Sequence, residues 1–153
     1  MKIKARCQQS CTIDAKGRLA LPAPIRRALE ELGQSSLVLT SSAGRDGDSV
    51  WGWTVGDYEA SVESKMEDLD PFANDVQDFA HAIMASAQDI EVDNAGRIRI
   101  PQPLRESAGL DREVVVFVVM GHLEIWDKAT WERRAETART RQQARRGMPT
   151  GQG

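Results

Sequence analysis

Two stretches of this chain place the same chemistry-bearing residues at the same spacing. Asp14, Gly17 and Arg18 are followed by Leu19, Leu21, Pro22, Pro24, Ile25 and Arg26. Asp93, Gly96 and Arg97 are followed by Ile98, Ile100, Pro101, Pro103, Leu104 and Arg105, at a constant offset of 79 residues. Arginine carries a rigid five-donor fork that matches phosphate oxygens and the O6/N7 edge of guanine. The spacing Asp-x-x-Gly supplies the preferred first and last residues of a type I turn, whose Asp carboxylate can accept backbone N–H bonds inside it. Asp14 with Gly17, and Asp93 with Gly96, are therefore read as structural turn residues. Arg18 and Arg97 are read as outward-facing nucleic-acid contacts, with Lys16 and Arg99 adding a cation in one copy each. The competing reading is that Asp14 pairs with Arg18 or Arg26 to brace the turn. Catalysis has little support, because neither Asp has a partnering His, Cys or Ser at equivalent positions, and paired acids alone do not make an active site.

These residues need elements to hold them. Each turn predicts a reversal between two strands. After it, Arg18-Leu19-Ala20-Leu21 and Arg97-Ile98-Arg99-Ile100 alternate, which puts the aliphatics on a core face and the arginines opposite. The prolines stop the strand and start a helix that Gly33 or Gly109 ends. Downstream, Leu37-Val38-Leu39 falls on Val116-Phe117-Val118 at the same offset, whereas Trp53 and Trp126 are 73 residues apart. The six-residue difference is assigned to the loop at 40–49, rich in Ser, Gly and Asp. Tyr58 and Trp131 each follow a tryptophan by five residues, and all four aromatics are read as core or subunit packing. Between the copies, Tyr58, Val62, Met66 and Leu69, then Val76, Phe79, Ala80 and Ile83, have helical spacing, interrupted at Asp70-Pro71.

The expected organisation is thus a first module at 1–56, connecting acidic helices at 57–87, a second module at 88–131, and an arginine-rich, partly disordered tail at 132–153. Units of roughly 45 residues bury too little surface to fold well alone, so the two are expected to share one core. A chain of 153 residues, 41% apolar and 28% charged, fits that size. No apolar run approaches the roughly 20 residues that span a bilayer, and the basic start leads into Gln8-Gln9-Ser10 rather than a signal-peptide core. A cytoplasmic protein is expected. Cys7 and Cys11 are read as reduced thiols: zinc would need two more ligands, and His81 and His122 lack ligand-like spacing. No metal or cofactor is expected. His122 is read as part of a tight turn with Gly121.

The net charge of −3 is unevenly divided. Residues 1–27 carry seven bases and one acid, residues 28–95 two bases and fifteen acids, and residues 96–153 eleven bases and seven acids. A basic face on an acidic protein follows if both motifs share one surface.

The tandem Asp-x-x-Gly-Arg-aliphatic-x-aliphatic-Pro pattern, with Leu123-Glu124-Ile125-Trp126-Asp127 and Trp131-Glu132, resembles the MraZ family of transcriptional regulators, within the wider AbrB/MazE/SpoVT swapped-hairpin group. The resemblance covers about residues 10–132. It implies an α+β, mainly β fold: a tandem swapped-hairpin, double-split β-barrel with two pseudo-symmetric halves. It also implies a bacterial, nucleoid-associated protein that binds double-stranded DNA, acts on the division and cell-wall gene cluster, usually as a repressor, and forms ring-shaped homo-oligomers. By position, the family's Asp-x-x-x-Arg signature falls on Asp14 with Arg18 and Asp93 with Arg97, its DNA contacts on those arginines. Neither membrane nor small-molecule substrate is implied. The start departs from the family's usual short Phe-x-Gly strand, being longer, basic and cysteine-containing. The alternative class is a ring-forming scaffold or antitoxin-like protein that binds a protein partner through the acidic helices.

Overall fold

A computed structural model describes residues 1–42 and 49–147. The first copy of the motif folds as strands β1 (Gln8–Thr12) and β2 (Arg18–Ala20), helix α1 (Ala23–Glu31), and strands β3 (Ser36–Ser41) and β4 (Ser49–Trp53). The second folds as β5 (Gln88–Glu91), β6 (Arg97–Arg99), α5 (Gln102–Ser107), β7 (Glu113–Val119) and β8 (His122–Asp127). Between them, α2 (Val55–Tyr58) continues through a π-helical stretch, Glu59–Glu63, into α3 (Ser64–Met66), and α4 (Asn74–Phe79) continues into a second such stretch, Ala80–Met84. Helix α6 (Lys128–Gly147) follows β8. The helical spacing and the break at Asp70-Pro71 are realised as expected. The expected loop is described only at its ends; the tail expected to be partly disordered is helical as far as Gly147, and its residues 148–153 lie outside the described residues.

Each half begins its helix on a proline, with Pro22 and Pro101 at the caps and a further proline in the first turn. Pro costs nothing there, since its missing N–H would be unpaired anyway. Both helices end alike. Gly33 (φ +65°) and Gly109 (φ +62°) turn the chain left-handed, and the next N–H, of Gln34 or Leu110, bonds back to Leu29 or Arg105.

The strands form a six-stranded antiparallel sheet, β1-β7-β8-β4-β3-β5, and a two-stranded ribbon, β2-β6. Four pairings cross between the halves: β1 with β7, β5 with β3, β4 with β8 and β2 with β6. The halves are therefore interlocked. Leu19 opposite Ile98, and Trp51 opposite Glu124, mark a pseudo-two-fold axis. Hydrogen bonding leaves the sheet open at β1 and β5, and each of these edges runs through an Asp-x-x-Gly turn into a ribbon strand. One core serves both halves. It includes Leu19, Leu21, Ile25, Leu37 and Leu39 from the first and Ile98, Ile100, Leu104, Val114, Val116 and Ile125 from the second. A smaller cluster of Val38, Trp53, Tyr58, Val62 and Ile83 lies under the connecting helices.

Two expectations are corrected. Val38 pairs with Trp53, but Val115 pairs with Trp126, so Leu37 to Leu39 correspond to Val114 to Val116 and not to Val116 to Val118. The cause is α1, nine residues long against six in α5, which absorbs part of the length difference given to the loop. His122 is not a turn residue. Met120 (φ +50°) and Gly121 (φ +82°) make the turn, as a two-residue hairpin with both φ positive requires. His122 opens β8, buried, with its ring 4.7 Å from that of Trp51 and 4.9 Å from that of Trp53. Its Nε2 lies 2.9 Å from Glu124 Oε2, and Trp126 Nε1 donates to Glu124 Oε1 at 2.8 Å.

Candidate nucleic-acid interface

The site is assembled from the two turns. In the first, the Gly17 N–H bonds the Asp14 carbonyl at 3.0 Å, closing a four-residue reversal. Asp14 Oδ1 accepts the N–H groups of Lys16 and Arg18, both at 2.9 Å, and Oδ2 accepts Arg18 Nε at 2.7 Å. The second turn repeats this: Asp93 Oδ1 accepts from Ala95 and Arg97 at 2.9 Å, and Oδ2 accepts Arg97 Nε at 3.0 Å. Gly17 (φ +81°) and Gly96 (φ +76°) take the left-handed conformation that closes each turn. The Arg18 N–H, followed by the Arg18 side chain and the Lys16 N–H, holds the Asp14 carboxyl down at about 2 against desolvation. Asp93 is lowered for the same reasons, led by the Arg97 N–H.

Of the two readings of the arginines, the bracing one is present in the structure. Arg18 and Arg97 pair with Asp14 and Asp93 and brace the turns, but each does so through Nε. The two terminal amino groups of each guanidinium lie outside the pair, and the side chains keep 36% and 40% of their exposure. A carboxylate on Nε fixes the plane of the fork, so less rotamer entropy remains to be lost when an anion arrives.

The ribbon brings the two motifs onto one surface. Arg18 lies opposite Arg99, Leu19 opposite Ile98, and Ala20 opposite Arg97. Leu19 and Ile98 point into the core, almost fully buried. Arg18, Arg97 and Arg99 consequently share the outer face of a two-stranded ribbon. Lys16 is exposed at the adjoining turn, and its carbonyl accepts Arg99 Nε at 3.1 Å. Like charges directly opposite one another destabilise a sheet. Two aspartates do not neutralise four cations, so the face keeps a net positive charge.

Two further arginines complete it. Arg105, from α5 of the second half, lies over Gly17 of the first: an added Cβ there would sit 2.9 Å from the guanidinium carbon. Its Nε donates to the Ile100 carbonyl at 2.9 Å. Arg26, from α1 of the first half, lies over Gly96 of the second, where an added Cβ would strike its Cδ. The recurrence of Arg26 and Arg105 at the close of both motifs was the available signal. What they cover was not, because each packs on the other half's turn. The aromatic residues stay with packing: Trp53, Tyr58 and Trp126 are buried, and the Trp131 ring lies 4.7 Å from Phe117 and 5.4 Å from Trp126.

The family model described as "MraZ protein, putative antitoxin-like" matches residues 83–148. A protein of Acetivibrio thermocellus named "Transcriptional regulator MraZ" is 38% identical over 122 residues, 79% of each chain. Proteins of the same name from Ligilactobacillus salivarius and Caldicellulosiruptor saccharolyticus are 38% identical over 127 residues and 39% identical over 121, covering 83% and 79% of each chain.

Proposed function

This chain belongs to the MraZ family, and from that premise we propose that it is a transcriptional regulator that binds double-stranded DNA through the β2–β6 ribbon. One observation carries this: the ribbon sets Arg18, Arg97 and Arg99 on a single face, with two of the guanidiniums fixed by aspartates. A two-stranded ribbon fits the major groove, and a pre-oriented guanidinium can grip guanine O6/N7 or a phosphate with its terminal amino groups. Lys16 and Arg99 add phosphate contacts that position without specifying. Asp14, Gly17, Asp93 and Gly96 shape the turns and touch no DNA.

The protein works as a ring-shaped homo-oligomer on repeated promoter elements of the division and cell-wall gene cluster. Weak single contacts add through avidity, and occupation of the promoter represses. It acts in the cytoplasm at the nucleoid and requires neither cofactor nor small-molecule substrate. The test is a fluorescence-anisotropy titration of promoter repeats against the wild type and the Arg18→Ala/Arg97→Ala variant. The double variant is expected to lose both affinity and discrimination between sequences; wild-type binding by that variant would overturn the assignment.

A second reading has one observation behind it. Leu69 and Phe72 are exposed, Phe72 by 84%, at the corner of the acidic helices, as a scaffold or antitoxin-like protein with a protein partner would require. Co-purification separates the two: salt-labile DNA supports the first, and a stoichiometric foreign protein without DNA supports the second.

A further inference from the structure

The pseudo-two-fold axis that relates the halves also relates two helical arms that do not match in charge. Tyr58 packs beside Trp53 at the root of the first arm, and Trp131 beside Trp126 at the root of the second. Beyond those roots the sequences diverge. Residues 55–78 hold eight acids and one base, whereas residues 128–147 hold seven bases and two acids. Of the eight acids, only Asp57 is buried, where Lys2 Nζ meets it at 3.1 Å. Glu59, Glu63, Glu67, Asp68, Asp70, Asp75 and Asp78 are all exposed.

On α6, every residue from Glu136 to Arg146 is exposed. Glu136 is its last acid and pairs with Arg139 at 2.5 Å. Arg141, Arg145 and Arg146 make no ion pair among the described residues. A helix that is polar all round needs charge partners or a second surface to remain a helix. Among the described residues, the acidic helices of the same chain stand away from α6. Helix α6 packs on β7 and β8, while the acidic helices pack on β3, and β4 stands between those strands in the sheet.

We propose that the acidic arm of one copy docks on α6 of the next copy, with Leu69 and Phe72 as its apolar centre. The proposal deepens the homo-oligomer part of the function above and rests on it. The contact joins two different patches, so it is heterologous, and repetition closes a ring or extends a filament. Nucleic acid is the other polyanion available to α6, and the course of the helix disfavours it. Starting at Asp127, opposite Val114, α6 passes Ser10 and Gln8 at its Arg139 turn. Gln8 is the end of β1 remote from the 14–17 turn, so the arginines run away from the ribbon.

The experiment measures the mass of the DNA-free, full-length protein by light scattering, at about 0.1 M and about 1 M salt, where the Debye length falls from about 10 to about 3 Å. Wild type is expected to be multimeric at low salt and to shrink at high salt. The variants Arg139→Glu/Arg141→Glu/Arg145→Glu and Glu67→Lys/Asp68→Lys/Asp75→Lys should each fall to a smaller species at low salt with unchanged helix content. Mixed in equal amounts, they should reassemble, because the acids placed at 139–145 in one face the lysines placed at 67–75 in the other, and the two unaltered patches also remain complementary. Unchanged mass in either variant, or no reassembly of the mixture, would overturn the proposal. Undiminished mass with lost DNA affinity in the arginine variant would reassign α6 to DNA, and a foreign protein released from the acidic arm by Phe72→Ser would reassign that arm. Failure of the DNA-binding proposal would appear in the Arg18/Arg97 titration and leave these masses unaltered.

Discussion

Replacing Gly96 with alanine tests the crossed packing at the heart of the site, and Gly33 provides its control. Both glycines have positive φ, +76° and +65°. A β-carbon in that conformation costs about 1–2 kcal/mol, offset by about half a kcal/mol from the stiffer unfolded chain. At Gly33 the added atom meets nothing within 4 Å, so Gly33→Ala should cost about 1 kcal/mol in all. At Gly96 it strikes Cδ, the last carbon of the Arg26 stem. Moving a packed stem adds about 1–3 kcal/mol, for a total of about 2–4. Gly17→Ala should fall between the two. The obstacle there is the mobile end of Arg105, but clearing it breaks the bond from Arg105 Nε to the Ile100 carbonyl, worth about 1 kcal/mol. Urea unfolding at one fixed protein concentration reads all three, since an oligomer's midpoint moves with concentration. The order Gly33, Gly17, Gly96 is expected. A Gly96→Ala variant no less stable than Gly33→Ala would mean that Arg26 does not lie over the second turn.

Four cations face outward on the ribbon, so the plot of log binding constant against log salt should carry a slope of about −3.6 per bound ribbon from these contacts. Arg18→Ala/Arg97→Ala should flatten it by about 1.8, and an unchanged slope in an anisotropy titration would remove those arginines from the phosphate contacts. Acid unfolding should respond to Asp14 and Asp93, whose carboxyls lie below their unfolded values. Their contribution is complete above about pH 4 and is lost as pH falls toward the Asp14 value of about 2. Asp14→Asn/Asp93→Asn should therefore flatten the stability profile across that window, and an unaltered profile would contradict the turn geometry. Leu19→Ala, at the fully buried centre of the ribbon, should cost about 2–5 kcal/mol by calorimetry or urea. Glu124→Leu removes the acceptor shared by His122 and Trp126 and should cost about 2–4 kcal/mol through two orphaned polar groups; a neutral result would show that neither needs it.

Local chemistry was legible wherever it depends on neighbours in the chain. Asp14 and Gly17 announce their turn because the carboxylate reaches only the next few N–H groups. Pro22 and Gly33 announce a helix's limits because one lacks a donor and the other tolerates positive φ. The offset of β7 was not legible. Val114 to Val119 is apolar throughout, so a shift of two residues keeps every aliphatic on its face, and only the pairing with Trp126 selects the register. His122 was misplaced because Gly121 signals a turn without saying which neighbour shares it.

Sequence alone determined that a turn-and-arginine unit occurs twice, that its aliphatics face a core, and that its charge is segregated along the chain. These follow from side-chain type and from periods of two and 3.6 residues, which no distant contact alters. Tertiary structure decided that β2 pairs with β6, that Arg18 faces Arg99, and that Arg26 and Arg105 each cover the other half's glycine. Either half could have paired its strands with itself at the same local cost. Crossing them puts Leu19 and Ile98 side by side in one core, which units of roughly 45 residues are too small to build singly.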